Sequence, residues 1–300
     1  MRAIGIDLGG TNVKALLVAA DGRILAEGMV PTLDDGTDGW RHQVAQLVAE
    51  MSAKAGGQAD LCLGLAAPGM AARNNRTIRS MPGRLQGLEN LNWTDFLQWP
   101  TAVPVLNDGH AALLGEVWQG AARGVQHALL LTLGTGVGGA VYSEGRLLRG
   151  YLGRAGALGH ITVSYLGKPD SAGAPGSLED AIGECSVRDR TQGRYPSTRD
   201  LVAAVRAGDA AAGVYWRDSV RALAAGVNSL INSFDPEVIL LGGGIAEADE
   251  TLFAPLAQEL DRIEWRPPGH RVRIVKAQLG PRAGALGAAR QALLWREAGG

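Results

Sequence analysis

Two stretches of this chain share one pattern. AIGIDLGGTNVKALL begins at Ala3 and runs into the turn and strand DGRIL; ALLLTLGTGVGGAVY begins at Ala128 and runs into EGRLL. Each reads as apolar strand, glycine turn, strand, acidic-Gly turn, strand. Asp7 falls opposite Thr132 and Gly9 opposite Gly134, a spacing of about 125 residues. A supersecondary unit repeated at such a spacing implies two related α/β lobes, and 300 residues are enough to give each a core. A second repetition, RAGALG at Arg154–Gly159 and again at Arg282–Gly287, does not keep that period. The first copy runs into a histidine; the second runs into a helix-forming stretch whose small residues suit close packing against the first lobe.

Periodicity and turn residues place the elements. Strands are expected at Ala3–Leu8, Lys14–Val18 and Arg23–Val30, the last two joined by the Asp21-Gly22 turn. A helix fits His42–Ala55, buried strands fit Leu61–Gly69 and Val103–Leu106, and Ala111–Gln119 reads as helix. Val220, Leu223, Ala224, Val227, Leu230 and Ile231 share one helical face, and that helix stops before Asp235-Pro236. The strand Val238–Leu241 runs into Gly242-Gly243-Gly244. A last strand, Val272–Ala277, and a helix from Ala283 to Arg296 close the chain. The lobes are expected at 1–109 with the terminal helix 284–300, and at 110–283.

Composition excludes some partners. A net charge of −1 gives no bulk attraction to nucleic acid or an anionic membrane. No apolar run approaches the roughly 20 residues that cross a bilayer, and the N-terminus enters a strand without a signal-peptide pattern. A cytoplasmic protein is expected. Two cysteines, Cys62 and Cys185, sit in no C-x-x-C frame and build neither a cysteine zinc site nor an iron–sulfur site. Glycine is the unusual entry in the composition: 43 residues, about twice average usage, clustered in turns beside apolar strands. That distribution suits backbone that approaches a ligand closely.

Gly134-Thr-Gly-Val-Gly-Gly matches GxGxxG, but the dinucleotide fingerprint needs a helix to open at the glycines. Here a hairpin pattern follows, and no GxxxxGK[ST] is present. The two glycine turns make better sense together. In both, successive backbone N–H groups can converge on an anion, and a threonine hydroxyl adds a donor. Asp7, at the end of its strand, can hold magnesium through water. Asn107-Asp108 closes a buried strand where catalytic groups of α/β sheets gather. Asp108 reads equally as a base for an alcohol attacking a phosphoryl group and as the cap of the helix that follows.

In order, IGIDLGGTNVK, VLNDGHAALLGE, LTLGTGVGG, AGALGH and INSFDPEVILLGGG resemble the ROK family of sugar kinases and related repressors, within the hexokinase/actin-like ATPase superfamily. The resemblance covers Ala3 to Leu293. It implies a duplicated ribonuclease H-like, two-lobed α/β fold with mixed sheets flanked by helices. Because the chain opens on the first strand without a helix-turn-helix ahead of it, a kinase is expected rather than a repressor. The resemblance implies ATP and Mg2+ as cofactors, a small sugar substrate and a homodimer. It makes Asp7, Gly9, Gly10 and Thr11 the first phosphate loop, and Gly134, Thr135 and Gly136 the second. Gly242, Gly243 and Gly244 would lie beside the adenosine. Asp108 would be the general base and Asn107 a sugar ligand, with Gly69 on the sugar side. Lys14 reads as a γ-phosphate contact or as a surface lysine.

The chain also departs from the family. Relatives read A-G-E-[IL]-G-H at the first RAGALG and C-x-C-G-x-x-G-C-x-E after it, the glutamate contacting sugar and the histidine and cysteines holding zinc. Here Ala157 stands at the glutamate, and Asp170, Ala172 and Ser177 stand at the cysteines, while Gly173, Gly176 and Glu179 keep the frame. His160 with one aspartate does not complete a four-coordinate structural zinc site, so none is expected. His160 either still touches the sugar together with Glu179 or only packs. A carboxylate-to-hydroxyl bond is worth roughly 1.5–3 kcal/mol, so the usual hexose should bind about tenfold or more weakly unless other groups compensate. Gly83 replaces a sugar-facing asparagine, and the neighbouring Arg84 either faces an anionic acceptor or lies on the surface. Polyphosphate as donor, and sugar sensing without turnover, are the alternatives to an ATP-dependent kinase.

Overall fold

The computed structural model describes residues 1–299. The chain forms two compact units: Met1–Gly124 with Leu147–Ala155 and the segment from Gln278 onward, and Val125–Arg146 with Gly156–Ala277.

In the first unit, the strands β1 (Arg2–Leu8), β2 (Asn12–Ala19), β3 (Ile24–Pro31), β4 (Leu61–Ala67) and β5 (Val105–Asn107) form one sheet in the order β3-β2-β1-β4-β5. β1 pairs antiparallel with β2 and parallel with β4, and β5 continues the sheet parallel to β4. Helix α1 (Gly39–Lys54) buries Trp40, Val44, Leu47, Val48 and Met51, the apolar stripe expected of a surface helix. β4 is buried along its whole length, as a strand covered on both faces must be.

The second unit repeats the scheme. β6 (Ala128–Leu133), β7 (Val137–Ser143), β8 (Arg146–Leu147), β9 (Val238–Gly242) and β10 (Arg273–Lys276) lie in the order β8-β7-β6-β9-β10. β6 is antiparallel to β7 and parallel to β9, matching β1. The repeat seen in the sequence is therefore a repeat of sheet topology. The short helices α3 (Leu178–Ile182) and α4 (Thr198–Arg206) precede the long helix α5 (Ala210–Phe234). Helix α5 is capped by Asp209, and its buried face carries Trp216, Val220, Leu223, Val227 and Leu230. It ends with Asp235 at φ 45°, immediately before Pro236. Helix α6 (Glu250–Ile263) completes the unit.

The terminal helix α7 (Ala283–Glu297) belongs to the first unit and contains the second RAGALG. Its packing explains the glycines around it. A Cβ on Gly5 of β1 would overlap the Ala285 carbonyl oxygen, and one on Gly64 of β4 would overlap that of Ala288. Helix α2 (Asp108–Gln119) meets α7 in the same way: a Cβ on Gly115 would strike Ala283, and one on Gly287 would strike Ala111. Backbone-to-backbone contact of this kind leaves no room for any side chain. It also keeps α2 in the first unit, whereas the sequence reading placed the lobe boundary at 109/110. The first unit runs on to Gly124 because α2 is locked to α7.

Candidate active site

In the first unit, three strand ends supply the chemistry-bearing groups. β1 and β2 are joined by the first glycine turn, where the Gly9 N–H donates to the Asn12 carbonyl at 3.0 Å. Thr32 grips this turn twice: its hydroxyl donates to the Gly9 carbonyl at 2.7 Å and its N–H to the Thr11 carbonyl at 2.8 Å. Arg84 reaches the same turn from a distant loop. Its Nη2 donates to the Gly10 carbonyl at 2.7 Å and its Nε to Asp34 at 3.0 Å. Arg84 is a surface arginine, half exposed, whose hydrogen bonds buttress the loop. Nothing in the sequence pairs Thr32, Asp34 and Arg84 with Gly9–Thr11, because the contacts span up to 74 residues.

Asp7 lies at the end of β1 opposite Lys14 in the β1–β2 register. Lys14 Nζ stands 3.6 Å from its Oδ2, so this lysine pairs with Asp7. Asp7 also presses against α7: a Cβ on Gly284 would come within 2.7 Å of its carboxyl carbon. The second RAGALG therefore does more than pack, since its first glycine makes the space Asp7 occupies. Burial raises Asp7 from the usual carboxylate range to about 6; Lys14 pulls it down, and the nearby Asp108 charge pushes it up.

The capping question at 107–108 resolves in favour of Asn107. Its Oδ1 accepts from the N–H groups of Gly109 (2.9 Å) and His110 (3.2 Å), the cap geometry of α2. Its Nδ2 donates to the Gly69 carbonyl at 2.9 Å and to Asp108 Oδ1 at 2.8 Å. The amide is spent on internal bonds that fix Asp108, and Gly69 is brought beside it. Gly69 sits at φ +94°, where its carbonyl can turn toward Asn107 and where a side chain would meet the Ser80 carbonyl oxygen. Asp108, at the first position of α2, accepts from the Gly109 N–H at 2.8 Å on Oδ1 and keeps its side chain open to solvent. Desolvation by the surrounding protein raises its carboxyl, against the hydrogen bonds from Gly109 and Asn107. Behind α2, buried His110 holds the Ala155 carbonyl of the first RAGALG at 2.8 Å through Nε2.

In the second unit, the loop Gly134–Gly136 joins β6 to β7 and continues straight into strand, not helix, as the hairpin reading expected. Gly134 N–H donates to the Gly136 carbonyl at 2.9 Å. The Glu184 and Cys185 N–H groups hold the Gly134 and Thr135 carbonyls at 3.0 and 2.8 Å. Glu179, on α3, accepts from the Val137 N–H at 2.9 Å, and Gly136 has no Cβ because Glu179 Oε2 occupies that space. Glu179 therefore braces the second loop. Gly243 turns at φ +85° directly over Leu133 at the end of β6. Gly244 and Ile245, with Gly134, Thr135, Thr198 and Arg206, line a cavity of about 890 Å³. Gly242 itself is buried in β9.

The first RAGALG passes Ala157, exposed and without a polar group, into a short 3₁₀ turn that ends at His160. His160 Nδ1 lies 2.8 Å from Asp170 Oδ2. Among the described residues no group of three or more His, Cys, Asp or Glu is arranged to hold a metal ion, and no helix is long and apolar enough to cross a membrane.

This geometry can be set beside known proteins. The ROK family model matches residues 3–296. The chain belongs to the ROK family. A glucokinase of Thermotoga maritima is 34% identical over 96% of this chain and 96% of its own length. The crystal structure of a ROK hexokinase from Thermus thermophilus superimposes with a TM-score of 0.87 at 33% identity, covering 99% of this chain and 100% of that one. A ROK family glucokinase from Streptomyces griseus, solved with glucose and AMPPNP, gives a TM-score of 0.77 at 28% identity over 98% of this chain and 100% of its own. The duplicated α/β fold with mixed sheets flanked by helices is that of the ROK hexokinases and glucokinases.

Proposed function

We propose that this sugar kinase moves the γ-phosphoryl group of ATP to a hydroxyl of a hexose-like sugar, with Asp108 as general base. The observation that carries the assignment is the division of labour at the head of α2. Asn107 does the capping and leaves the Asp108 carboxylate oriented, solvent-reachable and raised toward neutrality. A base works best with a pKa nearer the working pH. The sugar O–H proton passes to Asp108 while its oxygen attacks the γ-phosphorus, the bond to the β–γ bridging oxygen breaks, and ADP leaves. The cavity of the second unit, lined by Gly134, Thr135 and Gly244, suits a nucleotide. Its backbone N–H groups supply fixed donors. AMPPNP and glucose in the Streptomyces griseus relative support both halves of this reading.

Asp7 fits a hydrated magnesium ion. The Asp108 charge raises Asp7 while Lys14 pulls it down, and a divalent ion beside Asp7 would relieve that repulsion. When bound there, magnesium would neutralise charge on the transferring phosphoryl group. Gly9, Gly10 and Thr11 would hold phosphate oxygens, with Arg84 and Thr32 keeping that turn rigid. On the sugar side, Gly69 and Asn107 set Asp108; in the second unit, the family resemblance assigns His160 and position 157 to the sugar. The donor is tested by running glucose with ATP and with polyphosphate: ADP-coupled turnover far exceeding polyphosphate-driven turnover is expected, and the reverse would replace ATP in this account.

Two further results are expected. Both carboxylates must be ionised for metal binding and proton abstraction, and both have raised pKa values, so protonation on acidification stops the reaction early. The acid limb of kcat/KM should bend near pH 6, where Asp7 titrates, rather than near 4. A profile flat down to pH 5 would contradict this. Ala157→Glu should restore a charged acceptor and lower the KM for glucose by about tenfold or more. An unchanged KM would show that residue 157 does not meet the sugar.

A further inference from the structure

The loop from His160 to Ser177 carries a buried carboxylate that the proposed chemistry does not use. The side chain of Asp170 is completely inaccessible to solvent, yet among the described residues it forms no ion pair with an arginine or lysine. It is satisfied by hydrogen bonds instead. Oδ1 accepts from the N–H groups of Ala172 (2.8 Å) and Ala174 (2.9 Å). Oδ2 faces His160 Nδ1 at 2.8 Å, and the Ser177 hydroxyl also donates to the carboxylate. The loop closes around it: the Asp170 N–H donates to the Ala174 carbonyl at 2.9 Å, and the Gly176 carbonyl accepts from the Val163 and Ser164 N–H groups. Ser177 in turn caps α3, taking the Asp180 N–H at 3.2 Å, and α3 carries the Glu179 that braces the second glycine loop. A zinc ion does not fit here, because Ala172 offers no ligand and His160 and Asp170 alone do not complete a tetrahedral site.

We propose that Asp170 does a metal's structural work in this loop, as a positioning residue that sets the tautomer of His160 and so makes His160 Nε2 the hydrogen-bond acceptor that compensates for Ala157. The chemistry follows from the donors. Burial alone would raise this carboxyl, but the bonds from His160, Ala174, Ser177 and Ala172 hold it at about 2, so it is ionised and can only accept. Nδ1 must then carry the proton. In the neutral ring Nε2 is left with a lone pair; among the described residues it makes no hydrogen bond, and the side chain is 37% exposed. A sugar hydroxyl can donate to it, which is the task the carboxylate absent at 157 would perform. The inference rests on the reading that His160 faces the sugar.

The test uses the asymmetry of Asp170. In Asp170→Asn, the amide oxygen can keep the Ala172 and Ala174 N–H groups while the NH2 turns to His160 Nδ1. The ring must then switch to the Nε2–H form. Long-range ¹H–¹⁵N spectra of the His160 ring, taken where it is neutral, should show Nδ1–H in the wild type and Nε2–H in Asp170→Asn. The sugar KM should rise about tenfold or more in Asp170→Asn and in His160→Ala, with kcat within about threefold. Nε2–H in the wild-type spectrum overturns the role given to Asp170, and that measurement needs no variant to fold. The expected tautomers with an unchanged KM in both variants overturn the acceptor role of Nε2, and assign the failure to the sugar reading rather than to the Asp170–His160 pair.

Discussion

Asp108→Asn is expected to lower kcat by roughly 10³-fold, within the range that loss of a positioned general base produces, while leaving nucleotide affinity within about twofold. The substitution is nearly isosteric. The Gly109 N–H that now meets Asp108 Oδ1 at 2.8 Å can still find an amide oxygen, and Asn107 still caps α2. What is lost is the ability to take a proton. A variant at Asn107 provides the comparison: Asn107→Ala removes the cap and the 2.8 Å bond that orients Asp108. It should cost both stability, by about 1 kcal/mol, and activity. Steady-state kinetics with an equilibrium nucleotide titration separate the two effects. If Asp108→Asn keeps activity within about tenfold of the wild type, Asp108 is not the base.

Gly287→Ala should destabilise the protein by at least ~3 kcal/mol, beyond ordinary overpacking, because the added carbon falls on the Ala111 carbonyl of α2. Backbone cannot move aside as a flexible side chain can. α7 also lies against Gly5 and Gly64, so a shift to relieve one clash worsens another. A fall in Tm on the order of 10 °C, or insoluble expression, is expected. Gly284→Ala, three residues earlier on the same helix, should behave differently. Its new Cβ meets the Asp7 carboxylate at 2.7 Å rather than backbone, so Asp7 is displaced and activity falls more than stability. Thermal melts and kcat for the two variants distinguish a packing glycine from one that shapes the site.

Much of this architecture is legible in the sequence. The repeat at Ala3 and Ala128 implied two related lobes, and both sheets have the same strand order. Strand alternation, glycine turns and the Asp235-Pro236 stop are local signals, so they survive in one dimension. The unresolved points were those decided by three-dimensional proximity. Asn107 and Asp108 are both good capping residues, and only the backbone at β5 and α2 selects Asn107. Arg84 reads as an acceptor contact or a surface residue; it lies at the surface, and its hydrogen bonds tie the Gly10 turn to Asp34. Asp170 stood out in the sequence only as a missing cysteine. Its role as the centre of a hydrogen-bonded loop depends on a fold that buries it against His160. The second RAGALG was legible as a packing helix, but its contact with Asp7 was not, because Gly284 and Asp7 lie at opposite ends of the chain.

The central claim, that this ROK protein is a working ATP-dependent sugar kinase and not a sugar sensor, is tested most directly by following ADP release after glucose is added to protein with magnesium and ATP. The account predicts sugar-dependent turnover, with one ADP formed per sugar phosphate. Tight binding of ATP and sugar with no ADP formed, for glucose or for any member of a hexose panel, would contradict it.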